Sequence, residues 1–118
     1  MTVVVARSST PESEAALAAG LVEAKRRGED AIVFHLDGDR QETEPQQIDG
    51  VSVTHRFPQA RGRDATGDLL DVAEEVDASL IVVGIKHRSP VGKLFLGSSA
   101  QQLLLEAAAP VLAVKAPR

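Results

Sequence analysis

Leu80-Ile81-Val82-Val83-Gly84 is the segment that most restricts how this chain can fold. Every side chain in it is apolar, so both faces of a strand built from it must be covered. Such a strand belongs inside a parallel sheet with helices on both sides. Val3-Val4-Val5, Ala31 to Leu36 and Val111 to Val114 read as further buried strands. The run from Val51 to Phe57 alternates with period two and stops at Pro58. It is expected to be a strand with one exposed face, at the sheet edge.

Helical signals fall between these runs. Ser9 and Glu12 have capping-box spacing, while Thr10 followed by Pro11 offers a competing start with proline in the first helical position. An apolar face through Ala16, Leu17, Ala19 or Gly20, Leu21 and Ala24 follows, and Lys25-Arg26-Arg27-Gly28 ends it. Asp64 or Thr66 caps a second helix carrying Leu69, Leu70, Val72, Ala73 and Val76. Ser98 or Ser99 opens a third through Leu103, Leu104 and Ala107, before Pro110. The predicted architecture is α/β, a doubly wound and mostly parallel five-stranded sheet of Rossmann-like type. One link lacks a helix. The polar residues from Asp37 to Gly50 are read as a surface connection between the second and third strands.

The 118 residues fit one domain, 1–118, with enough Val, Leu, Ile and Ala for a core. No apolar stretch is long enough for a membrane span. The N-terminus lacks a basic n-region, so no secretory signal is expected and a cytoplasmic location is. There is no cysteine, which excludes disulfides, thiol catalysis and cysteine metal sites. A net charge of −4 and only three aromatic residues, Phe34, Phe57 and Phe95, argue against a nucleic-acid surface.

Ligands of open α/β sheets bind outside the carboxyl ends of the strands. The segment after Val83 lies there. It contains Gly84, Gly92 and Gly97, the cationic candidates Lys86, His87, Arg88 and Lys93, and then Ser98 and Ser99. No carboxylate occurs from Ser79 through Leu105, in a chain that is acidic overall. Unpaired N–H groups at a helix start, its dipole and serine hydroxyls favour an anion there. Glycines as turn residues, serines as plain caps and solvated cations would explain the same residues without a ligand. Neither a Walker G-x4-G-K-[ST] nor a G-x-G-x-x-G pattern is present.

The run SLIVVGIKHRSPVGKLFLGSSAQQLLLEAAAPVLAVK resembles the C-terminal half of universal stress proteins, whose signature is G-x2-G-x9-G-[ST]. Gly84, Gly97 and Ser98 fall on its first glycine, third glycine and hydroxyl, and His87 on its second glycine. VVVARSSTPESEAALAAG is similar to the family's V-A-V-D-G-S-P-E-S-x-x-A-L opening, and Phe34-His35-Leu36 to the L-H-V closing its second strand. The resemblance implies an adenine-nucleotide alpha hydrolase-like fold with strand order 3-2-1-4-5, missing its second crossover helix. It implies a site for ATP or a related adenine nucleotide at Ala6, Arg7, Ser8, Leu36, Gly84, Lys86, His87, Arg88, Gly97, Ser98 and Ser99. It further implies a homodimer through the last strand, at Val111, Leu112, Ala113 and Val114. Ser8 replaces the family's acid, so a bound metal is not expected. His87 can either occlude phosphates or donate to them.

Enzyme signals are weak. His35, His55 and His87 lack metal-ligand spacing, His35 reads as a structural strand-end residue, and His55 as an edge-strand surface residue. No G-x-S-x-G elbow or positioned base is found, so no catalytic residue is assigned and at most a slow ATPase is expected. Two readings stand: a nucleotide-binding regulatory module, or a nucleotide-independent dimeric interaction module that has lost tight ATP binding.

Overall fold

The computed structural model describes residues 1–37, 43–59, 64–86 and 96–116. Its elements are β1 (Thr2–Arg7), α1 (Pro11–Arg27), β2 (Asp30–His35), β3 (Gln46–Ile48), β4 (Val51–Arg56), α2 (Ala65–Glu75), β5 (Ala78–Ile85), α3 (Gly97–Glu106) and β6 (Val111–Lys115). They form one sheet in the order β3-β4-β2-β1-β5-β6. Without β3, the five strands are parallel and run in the expected order. Val4 lies between Ile32 and Ile81 in register, which places the most apolar runs at the sheet centre.

The sixth strand is an addition. Gln46–Ile48 pairs antiparallel with Val51–Val53, so the link is not merely a surface connection and β4 is not the sheet edge. The hairpin turns on Asp49 and Gly50 at φ 51° and 82°. Two positive φ values are what a two-residue type I′ turn requires, and Asp-Gly is among its favoured pairs. Among the described residues of the link there is no helix.

Period-two alternation divides the core between two faces. Val3, Val5, Ala31, Val33, Val53, Leu80 and Val82 face α1. Val4, Ala6, Ile32, Phe34, Ile81, Val83 and Ile85 cluster with Leu69 and Val72 of α2 and Leu103 of α3. Helix α1 starts at Thr10, whose hydroxyl accepts the Ser13 N–H, and Gly28 closes it in the left-handed conformation. Asp64 caps α2. Helix α3 departs from the expected serine cap: it begins at Gly97, and Leu96 before it supplies no side-chain cap. Of the leucines read into it, Leu103 is buried and Leu104 is 45% exposed.

Candidate functional site

The ends of β1, β2 and β5 meet the starts of α1 and α3. Ser13, in the first turn of α1, is buried, and its hydroxyl accepts the Ser8 N–H at 2.8 Å. That bond folds the loop after β1 back onto the helix it precedes. The Leu36 N–H donates to the Arg7 carbonyl at 2.8 Å, tying the exits of β1 and β2 together. A Cβ on Gly84 would lie 2.3 Å from the Glu12 carbonyl oxygen and 2.8 Å from the Ser13 nitrogen. Only a residue without Cβ lets β5 pass so close to α1.

These contacts enclose a cleft of about 330 Å³. Ala6, Ser8, Leu36, Gly84, Lys86, Gly97, Ser98 and Ser99 all line it, which brings eight of the expected residues to one place. Arg7 is not in the lining; its guanidinium pairs with Glu14 at 2.6 Å. His87 and Arg88 lie outside the described residues. Gly97 enters α3 at φ +70°, with no acidic residue in the helix's first turn. The uncapped N–H groups and the dipole give this end of the cleft a partial positive charge, to which Lys86 adds. The Ser99 hydroxyl meets that of Thr66 at 3.2 Å, and Gln102 donates to Asp64 at 2.9 Å, so α2 braces the start of α3.

The cleft also contains residues that sequence reasoning missed: Thr10, Glu12, Ser13, Asp37 and Leu96. In the sequence Asp37 reads only as the first residue of the polar surface connection. Its Oδ2 accepts from both the backbone N–H and the hydroxyl of Ser9, each at 3.1 Å.

A larger cleft of about 730 Å³ lies at the amino ends of the strands. Among the described residues, Glu29, Asp71, Glu74, Asp77 and Glu106 line it beside Met1 and one cationic side chain, Arg27. Five carboxylates repel a phosphate, so its size does not recommend it as an anion site. Among the described residues no group of three or more His, Asp or Glu side chains is placed to hold a metal.

His55 is not the solvated edge residue expected. Its Nδ1 lies 2.8 Å from His35 Nε2, and its Nε2 lies 2.7 Å from Gln46 Oε1, while Phe57 stacks on His35 at 4.6 Å. With Gln46 Oε1 accepting, His55 donates from Nε2 and accepts at Nδ1 from the His35 Nε2–H, an assignment made from the network. That arrangement leaves the His55 ring neutral. Burial holds the His35 pKa below the usual imidazole range, helped by His55 and Arg7 and opposed by Asp37. Burial and then Arg7 lower that of His55. Below about pH 6.5 the unfolded chain therefore takes up protons that the folded chain refuses. Stability is full above that pH and falls as pH drops toward the folded-state values. Thermal melts should show Tm decreasing from pH 7.5 to 5.5, and a His35→Gln/His55→Gln variant should show a flatter profile. A wild-type Tm that does not change over this range would contradict the assignment.

Comparisons with known proteins give the family and the fold. The model of the universal stress protein family matches residues 52–115. A universal stress protein of Mycolicibacterium smegmatis is 42% identical over 126 aligned residues, covering 96% of each chain. A universal stress protein structure from Archaeoglobus fulgidus superposes with a TM-score of 0.76 at 31% identity, covering 98% of both chains. A structure of the universal stress protein from the same organism in complex with dAMP gives 0.71 at 27% identity, also over 98% of both.

Proposed function

The chain belongs to the universal stress protein family, and from that premise we propose that it is a cytoplasmic regulatory module binding ATP or another phosphate-bearing adenine nucleotide. The observation that carries this reading is the cleft at the carboxyl ends of β1, β2 and β5, closed by the uncapped start of α3. Phosphates sit against Gly97, Ser98 and Lys86, where N–H groups, a hydroxyl and a cation converge. The base lies toward Leu36 and Ala6, the apolar wall of the cleft. The dAMP complex of the Archaeoglobus fulgidus relative supports an adenine nucleotide as the ligand class. His87 and Arg88 belong to the same proposed site.

A second reading rests on the opposite sheet edge. Strand β6 pairs with β5 on one side and has no partner strand on the other among the described residues. Leu112 on β6 is 37% exposed and Leu105 of α3 is 79% exposed. Exposed strand edges favour covering, and a second copy pairing through Val111–Val114 covers the β6 edge.

Native mass spectrometry of freshly purified protein tests the two readings together. The expected species is a two-chain mass carrying adenine nucleotide, or taking it up when ATP, ADP or AMP is added. No adduct with any of the three would overturn nucleotide binding. A one-chain mass at every concentration would overturn the dimer.

A further inference from the structure

We infer that Asp37 reads the sugar of the bound nucleotide, so that the cleft selects ribonucleotides over 2′-deoxyribonucleotides. The inference rests on the nucleotide reading above and adds to it a residue and a specificity. Asp37 directly follows Leu36 and lines the cleft. The pair of bonds from Ser9, both to Oδ2, fixes the carboxylate without consuming Oδ1, for which the described residues provide no hydrogen-bond donor. A carboxylate held in this way is an acceptor-only group with lone pairs to spare.

The polarity of the cleft selects what the carboxylate can face. Phosphate belongs at the α3 start and Lys86, and is repelled from Asp37. The nucleotide's other donors are its sugar hydroxyls and its exocyclic amine. Leu36 and Asp37 are consecutive in the cleft lining, so a base seated on Leu36 brings its sugar within reach of Asp37. Of the sugar's hydroxyls the 2′-hydroxyl is the one next to the base, and its O–H is the donor that fits the single free oxygen, Oδ1. Acids just after the second strand of dinucleotide-binding α/β sheets use the same chemistry on the ribose 2′-hydroxyl. Glu12 also lines the cleft, but its backbone carbonyl abuts Gly84 and its own segment is α1, on the β5 side.

Calorimetric titrations with AMP and dAMP test this on the wild type, Asp37→Ala and Asp37→Asn. A hydrogen bond to a charged acceptor is worth about tenfold or more in affinity, so the wild type should prefer AMP by that factor. Asp37→Ala should abolish the preference by weakening AMP alone, with dAMP affinity held within about twofold. Asp37→Asn, which keeps a neutral acceptor, should retain part of it. Equal wild-type affinity for AMP and dAMP would overturn the inference and leave nucleotide binding standing. Equal weakening of both ligands in Asp37→Ala would reduce Asp37 to a loop anchor and overturn it too. Failure of the wild type to bind either nucleotide would overturn the nucleotide reading itself, and this inference with it.

Discussion

Gly84→Ala should destabilise the protein by about 3 kcal/mol and abolish nucleotide binding in the same variant. The added methyl would meet the Glu12 carbonyl oxygen at 2.3 Å and the Ser13 nitrogen at 2.8 Å. Both are backbone atoms, so no side-chain rotation can relieve the contact. Either β5 or the first turn of α1 must move. Movement of α1 also carries Ser13, whose hydroxyl holds the Ser8 N–H. The loop that walls the cleft would then lose its anchor, so stability and binding should fall together. Gly97→Ala provides the contrast: its Cβ meets nothing within 4 Å, and only the strain of φ +70° remains. That strain costs roughly 1–2 kcal/mol. Urea denaturation of the two variants separates the cases, and an unchanged midpoint for Gly84→Ala would show that the close approach is not real.

Phe34→Ala should cost about 3–5 kcal/mol, seen by calorimetry as a fall in Tm of roughly 10 °C or more. Phe34 has no exposed surface and clusters with Leu69, Val72 and Leu103 between the sheet and two helices. Most of this core is small aliphatic side chains, so the cavity has no large neighbour to collapse into it. The strand it sits on also delivers Leu36 and Asp37 to the cleft, and loosening β2 should reach the site. Phe34→Leu keeps most of the volume and should cost about 1 kcal/mol. An alanine variant as stable as the leucine one would mean that the residue is not packed as described.

The parallel sheet was legible because its strands carry continuous aliphatic runs that only two-sided burial explains, Leu80–Val83 above all. Strand β3 was not legible. Gln46-Gln47-Ile48 has no alternation to mark it, and it is held by pairing with β4 and by the Asp49-Gly50 turn. That dipeptide, set between Ile48 and Val51, was the available signal. The start of α3 was misplaced because a serine cap is the usual device, whereas here a left-handed glycine makes the turn. The end of the cleft at the start of α3 could be read from Gly84, Gly97 and Ser98, which lie on one stretch of chain. Its other wall could not. Asp37 reaches Ser9 across 28 positions and His35 reaches His55 across 20, and no local pattern encodes a contact between strand ends. Arg7 pairs with Glu14, seven residues on, another contact that no local pattern announces.

Nitrogen–proton correlation spectra of the labelled protein, recorded while ATP is added, address the central claim most directly. Resonances of Ser8, Leu36, Gly84, Gly97, Ser98 and Ser99 should shift together and saturate, while those of Asp71, Asp77 and Ala109 at the opposite end of the sheet stay still. Spectra unchanged at saturating ATP, or shifts confined to that opposite end, would contradict a nucleotide site at the carboxyl ends of the strands.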